Sequence, residues 1–380
     1  MLRTPICDLL GIRYPILLAG MGGLGGGLTP PELVAAVSES GGLGVTGLTD
    51  VAPDDIRKRI ARIRELTDQP FGVDLLLPAS MDEAEPESLE AMWTRILLEH
   101  PRHVALTREL LGEFNLPAAP PAADWFMSPK VIREQVQAVL EEKVPLFAAG
   151  LGDPAWVVPL ARARGVKVLG LAGAARQAER QREAGVDVIV AQGAESGGHT
   201  GSIGTTVLVP EVVDRVSPLP VLAAGGIVDG RGVAAMLALG AQGVWLGTAF
   251  LLSEECRLYP EHKQQIMAAR SHEFVVTRAY TGKPARDVRN ALIDRWERSG
   301  LPALPMPLQW VLLREVRAAA LAAGRYDLLN NPAGQGGGRL GRLRPARAIF
   351  RAIVAEAEAT LERLARQHWP AGAGERRQGA

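Results

Sequence analysis

The sequence predicts an α/β protein: a (β/α)8 barrel with an inserted helical segment after its third strand and a C-terminal helical extension. Three observations predict it. Eight short apolar runs alternate with stretches of helical periodicity, the count such a barrel needs. The runs are apolar throughout, as strands are when a parallel sheet is covered on both faces. Glycine and polar residues gather directly after successive runs, at the end where parallel α/β folds bind ligands. An open, doubly wound sheet is the competing architecture, and the count of eight argues against it.

A chain of 380 residues can bury a large core as one barrel with additions. Its 42 Lys+Arg balance 42 Asp+Glu, which argues against a nucleic-acid partner or an acidic membrane surface. Cys7 and Cys256 are the only cysteines, too few for a disulfide framework or a multi-cysteine metal site. Around His199 no second His, Cys or carboxylate stands at ligand spacing, so no metal is expected. With no signal-like N-terminus and no run of membrane-spanning length, the expectation is a soluble cytoplasmic protein.

The first strand is 15–19, and the glycine-rich stretch 20–27 follows it. Thr29 reads as the N-cap of a helix that opens on Pro30, Pro31 and Glu32. Strand two at 43–48, a helix at 54–66 and strand three at 71–77 come next, with Asp74 alone among apolar neighbours in the third strand. The rhythm breaks over 78–127, where charged helix-prone sequence runs into a Pro/Ala stretch that cannot be a central strand. Because it leaves a strand end directly, this insertion reads either as a lid or as a solvated excursion. Ser128 and Pro129 then open a helix with Ile132, Val136, Val139 and Leu140 on one face. Strands follow at 146–151, 166–172, 186–191, 221–224 and 243–246, and helices at 154–164, 174–184, 207–216 and 230–239.

Past 253 helices are expected at 262–269, 285–296 and 346–364. The last carries Ile349, Phe350, Ile353, Ala357, Leu361 and Leu364 on one stripe, suited to the barrel exterior or a second subunit. The expected organisation is a barrel over 1–253 with the 78–127 insertion, a helical extension over 254–368 packed on it, and a disordered tail over 369–380. A homo-oligomer is compatible with this arrangement.

The candidate site lies at the strand ends. Gly225 and Gly226 after the seventh strand, and Gly247 and Thr248 after the eighth, suit a phosphate held by backbone N–H groups beside a helix N-terminus at Asp229-Gly230-Arg231. Glycines also end strands for steric reasons alone, so the pair carries more weight than either member. The 20–27 stretch leaves room for a flat ring against the backbone, and no phosphate-loop signature is present. His199 is the one histidine of six within a glycine-rich strand-end segment; His100, His103, His262, His272 and His368 stand in charged surroundings read as exposed. An imidazole so placed is a candidate general base, or when protonated an anion holder, against the alternative of a loop histidine that only bonds backbone.

The runs Ala191 to Gly201, Ala223 to Gly232 and Leu246 to Leu251, with Tyr14-Pro15-Ile16, Gly20-Met21, Ser40 to Gly44 and Pro70 to Val73, resemble the nitronate monooxygenase family, formerly the 2-nitropropane dioxygenases, over about residues 10–300. The resemblance implies an FMN-dependent TIM-barrel oxidoreductase that turns alkyl nitronates and O2 into carbonyl compounds and nitrite. It implies that Gly20, Met21 and Gly22 line the flavin with Asp74, that Gln192, Gly197 and Gly198 flank it, and that Ala224, Gly225, Gly226, Gly247 and Thr248 hold its phosphate. His199 matches the family's active-site histidine. The same motifs are similar to those of NAD(P)H-dependent flavin reductases of enoyl thioesters or quinones, the alternative activity. Two positions depart from the pattern: Asp74 stands where relatives often have asparagine, and Leu171 where some have lysine. A carboxylate beside an electron-rich flavin would oppose its reduction unless protonated or paired.

Overall fold

The computed structural model describes residues 2–22, 27–77, 88–120 and 128–368. Residues 23–26 of the glycine-rich stretch, both ends of the insertion (78–87 and 121–127) and the tail 369–380 lie outside the described residues.

In chain order the strands are β1 (Ile16–Leu18), β2 (Gly44–Gly47), β3 (Phe71–Leu76), β4 (Leu146–Gly150), β5 (Lys167–Ala172), β6 (Val188–Gln192), β7 (Gly198–His199), β8 (Val221–Ala224), β9 (Gly243–Leu246), β10 (Phe274–Thr277) and β11 (Ala285–Val288). Eight of them form one parallel sheet in the order β1-β9-β8-β6-β5-β4-β3-β2. The two edges meet: Leu17 bridges Leu43 in parallel, with Leu18 N–H donating to Leu43 O at 3.0 Å and Leu43 N–H to Ile16 O at 3.2 Å. The sheet is therefore a closed (β/α)8 barrel.

Strand alternation explains why the runs are apolar throughout. On β3, Phe71, Val73 and Leu75 face outward into the large cluster shared with the surrounding helices. Leu17, Val45, Leu146, Leu169, Val188, Leu222 and Trp245 fill the inside, and the helix Pro5–Leu10 adds Ile6, Cys7 and Leu10 to that inner cluster. The two faces demand the same chemistry, so period-two polarity disappears. Towards the carboxyl ends the interior residues become small, with Ala19, Ala148 and Ala224 in the same cluster.

The helix that covers the outside between the last and first strands is Ala346–His368, nearly a hundred residues after β9. Its Phe350, fully buried, sits over Gly42, where any Cβ would lie 2.5 Å from the Phe350 ring, and its ring meets that of Tyr14 at 6.1 Å. Gly230 lies against the backbone of Ile353 and Ala357 for the same reason of close approach. The striped helix thus belongs to the barrel wall, and residues 254–345 are an excursion between β9 and its covering helix.

That excursion and the earlier insertion share a core. Met92, Ile96, Val104, Leu106 and Leu110, from helices Leu89–Glu99 and Pro101–Glu113, pack with Tyr280, Ile293, Trp296, Val311, Leu312 and Val316. Both segments leave from strand carboxyl ends, so this second cluster stands on the side where the candidate site lies. Several expectations change here. The 285–296 segment is not one helix but β11 followed by the helix Ala291–Ser299, because Asn290 caps the helix with its side chain on Ile293 N–H at 3.0 Å. The fourth barrel helix is only Val158–Arg162. Thr29 is not an N-cap; Pro30 holds that position. His103 and His262 are buried rather than exposed, bonded through Nε2 to the carbonyls of Pro302 and Tyr326, each at 2.8 Å. Among the described residues no helix is long and apolar enough to cross a membrane.

Phe350→Ala should cost about 3–5 kcal/mol of stability, whereas Leu98→Ala, at a side chain 77% exposed, should stay within about 0.5 kcal/mol. Urea unfolding of both variants checks the assignment; equal losses would contradict it.

Candidate active site

The site is assembled from the ends of six strands, β1, β2, β3, β6, β8 and β9, and one ribbon. After β1 the chain turns over the barrel mouth and is tied back to β2. The Thr29 hydroxyl reaches Met21 O at 3.4 Å and accepts from Gly47 N–H at 2.9 Å. This buried latch is what Thr29 does in place of capping. Glycine is required where the loop touches its support: a Cβ on Gly47 would lie 2.6 Å from Gly22 N, and one on Gly20 would collide with the Asp74 side chain. Met21 Sδ is 3.5 Å from where a Gly247 Cβ would be, so the ends of β1, β2, β3 and β9 adjoin.

Asp74 points into the barrel, on the opposite face of β3 from Val73 and Leu75, and is buried. Its Oδ1 has no hydrogen-bond partner. Burial pushes its pKa up to about 8; the Gly150 amide, near but outside good bonding geometry, offsets only part of the shift. Burial therefore favours the neutral acid over the carboxylate. Leu171, the other departure from the family pattern, lines the same interior as a half-buried side chain of β5.

After β8 the chain runs through Gly225 (φ +108°) and Gly226 (φ +71°), two successive left-handed residues that only glycine adopts without strain. Among the described residues neither amide has an acceptor. Paired free N–H groups at a strand end are an anion cradle. Asp229 caps the helix Gly230–Ala238, its Oδ1 accepting from Gly232 N–H at 3.0 Å, as its place in the sequence predicts. The Thr248 hydroxyl accepts from Gly334 N–H at 2.9 Å and keeps its own proton to donate. These groups fit a phosphate.

The segment after β6 is not a free loop. Gly198 and His199 form β7, which pairs antiparallel with β11 in the register Ala285↔His199 and Arg286↔Gly198, and β11 pairs in turn with β10. Inside the segment Gln192 Nε2 donates to His199 O at 2.7 Å and to Ser196 Oγ at 3.1 Å. Ser196 Oγ continues to Thr200 Oγ1 at 3.0 Å. Glu195 is structural: its carboxylate caps the helix Thr205–Val216, taking Thr205 N–H at 2.9 Å and Thr205 Oγ1 at 2.7 Å. Gly197 is explained by the ribbon side, since a Cβ there would lie 2.6 Å from the Ala333 backbone. The buried Arg286 guanidinium spans the joint, donating to Ala194 O at 2.8 and 3.2 Å and to Phe274 O; burial lowers its pKa, and the charge of Glu195 works against that.

His199 Nε2 lies 3.2 Å from Thr281 Oγ1. Burial, and next the charge of Lys283, lower its pKa below 6.5. Thr281, Lys283 and Arg286 were not among the sequence candidates; the signal available was the Gly282-Lys283-Pro284 turn, masked by reading 285–296 as helix.

A family model described as nitronate monooxygenase matches residues 3–356. The chain is 39% identical over 378 residues to a Mycobacterium tuberculosis protein named "putative monooxygenase", covering 96% of this chain and 98% of that one. It is 33% identical over 374 residues to a "probable nitronate monooxygenase" of Staphylococcus saprophyticus, covering 95% and 99%. Among solved structures it is similar to nitroalkane oxidase from Streptomyces ansochromogenes (TM-score 0.80, 30% identity, 94% and 99% covered) and to FabK from Thermotoga maritima (TM-score 0.75, 34%, 96% and 99%).

The His199 ring should titrate below 6.5 in an NMR pH series and be neutral at pH 7. A value at or above 6.5 would contradict the burial described here.

Proposed function

The chain belongs to the nitronate monooxygenase family, a family of flavin enzymes, and is an oxidoreductase; on that premise we propose that it uses FMN to oxidise alkyl nitronates with O2, giving carbonyl compounds and nitrite. The observation that carries this reading is an imidazole, pinned by a β-ribbon, on the same barrel face as the free amides of Gly225 and Gly226. Those amides with Thr248 and Gly247 would hold the phosphate, and Gly20, Met21 and Gly22, with Asp74 beneath and Gln192, Gly197 and Gly198 alongside, would bound the ring. Bound FMN would supply the two-electron chemistry and the reaction with O2.

The residues of the chain set up the rest. The Thr281 hydroxyl, 3.2 Å from both Lys283 O and His199 Nε2, holds the ring by its Nε2 edge, and the neutral ring keeps one basic nitrogen. A neutral imidazole suits removal of the α-proton from a nitroalkane better than it suits holding an anion. The exposed Lys283, whose charge already acts on His199, supplies the positive potential an anionic nitronate needs. The second reading, an NAD(P)H-dependent reductase of enoyl thioesters or quinones, is favoured by the likeness to FabK at 34% identity.

Anaerobic mixing of the FMN-loaded protein with propyl nitronate, NADH and NADPH in turn separates the two. Fast bleaching by the nitronate and none by the nicotinamides is expected, and the reverse order of rates would install the reductase instead. His199→Ala should keep FMN while kcat/KM on a neutral nitroalkane drops about 10²–10⁴-fold. Since the base works when unprotonated and its pKa is lowered, wild-type kcat/KM should be at its plateau above pH 6.5 and fall only as the pH drops through that lower value; an apo variant or an unchanged rate would remove His199 from this role.

A further inference from the structure

Glu195 follows β6, yet its contacts run to the ends of β8 and β9 as well. Its Oε2 accepts from Thr205 N–H at 2.9 Å and from Thr205 Oγ1 at 2.7 Å. Thr205 is buried. Its Oγ1 also stands 3.2 Å from Gly225 O, and a Cβ on Gly225 would lie 2.7 Å from it. Glu195 Cβ backs Gly226, 3.3 Å from where a Cβ on that glycine would be. On the other side Glu195 O accepts from Gln335 N–H at 3.0 Å, and the neighbouring Gly334 N–H is the one that Thr248 Oγ1 accepts at 2.9 Å. A Cβ on Gly334 would meet Glu195 O at 2.6 Å, so this approach requires glycine. Gly225, Gly226 and Thr248 thus all rest on contacts with one residue. A carboxylate so near an anion cradle needs its charge engaged elsewhere. Here it lies on the N-terminus of the helix Thr205–Val216, where an acceptor and a negative charge are both favoured. Its charge also acts on the buried Arg286 guanidinium from the ribbon side.

We propose that Glu195 is the positioning residue of the phosphate cradle: by holding Thr205 and Gln335 it sets the two left-handed amides and the Thr248 hydroxyl in one geometry before the ligand arrives. This rests on FMN occupying the barrel mouth with its phosphate at those groups. Donors already gathered bind an anion better than donors that must first be ordered, because the ordering cost falls on folding and not on binding. The effect is confined to one end of the ligand: a residue that sets the cradle changes what the phosphate contributes and leaves the ring's contribution alone. The chemistry required is an acceptor. A single oxygen, Oε2, takes both Thr205 bonds, so an amide carbonyl in its place takes them too. Glutamine therefore preserves the cradle, and alanine does not.

The test is fluorescence quenching of FMN and of riboflavin, which lacks the phosphate, by wild type, Glu195→Ala and Glu195→Gln. The alanine variant should raise the Kd of FMN about 10–100-fold, the scale of one hydrogen bond to a charged group, and leave that of riboflavin unchanged. The glutamine variant should return FMN binding to the wild-type level. A second readout is the 31P line of bound FMN, displaced in the alanine variant and restored in the glutamine one; it decides where riboflavin binds too weakly to measure. Equal weakening of both flavins, an unmoved 31P line, or a glutamine variant as weak as alanine would overturn the proposal while leaving the FMN reading intact. Wild type that takes up no FMN would overturn both. Should Glu195→Ala fail to fold, Thr205→Val replaces it, since it removes the hydroxyl and keeps the N–H; FMN held by that variant as tightly as by wild type would overturn the proposal.

Discussion

The pairing of two residues, Gly198 and His199, with Ala285 and Arg286 is the constraint on which the site depends. A histidine among glycines would otherwise sample many positions, because glycine puts no steric limit on its backbone. Antiparallel bonds to β11 remove that freedom on one side, and the Gln192 amide on His199 O removes it on the other. The buried Arg286 fixes the joint by bonding carbonyls on both sides of it, Ala194 and Phe274. A guanidinium suits the task because its planar fork of donors reaches several acceptors at once. The imidazole is thus positioned by a segment nearly ninety residues distant in sequence, and its orientation by the Thr281 hydroxyl of the same ribbon.

The ribbon in turn depends on a second core. A two-stranded ribbon with a third strand of two residues is marginal alone. Here it continues into helices that pack with the insertion after β3, around Tyr280, Trp296 and Val311. Tyr280, next to Thr281, is buried and bonded through its hydroxyl to Leu328 O at 2.8 Å. Stability of that cluster is therefore passed to the His199 side through adjacent residues. Both excursions begin at strand carboxyl ends, so the barrel core and the site can vary independently, the property that lets this fold carry many chemistries.

The barrel was legible because its signals are local and redundant. Each strand is a short apolar run, each is followed by helical periodicity, and eight such units leave few closed arrangements. The strand-end positions of Gly225, Gly226, Gly247 and Thr248 were legible for a related reason: they lie directly after strands whose direction follows from the alternation. What sequence reading missed is long-range. The strand Ala285–Val288 sits immediately before a well-capped helix and contains the helix-tolerant residues Ala and Arg, so local propensity absorbed it into the helix; only its pairing with β10 and His199 makes it a strand. His103 and His262 were read as exposed because their chain neighbours are charged, whereas their burial is decided by distant backbone carbonyls. Thr29 has the look of a cap by position, and its actual partners, Met21 O and Gly47 N–H, come from a loop and another strand.

The electrostatics of the mouth close the argument. With Leu171 in β5 and only Asp74 buried at the interior, no cation among the barrel strands can balance negative charge at the carboxyl end. Burial then acts on the two titratable groups in opposite directions, holding the proton on the acid Asp74 and removing it from the base His199. Between the lowered histidine value and about 8, both are uncharged. An environment that separates an acid and a base in this way lets each work in its less hydrated form. Beside the exposed Lys283 charge, polarity at the site then comes from fixed dipoles: the amides of Gly225 and Gly226 and the Thr248 hydroxyl. Such dipoles need no counter-charge and no reorganisation as electrons arrive or leave, and a barrel whose inner wall is otherwise hydrocarbon can hold them without the desolvation cost that a buried ion would carry.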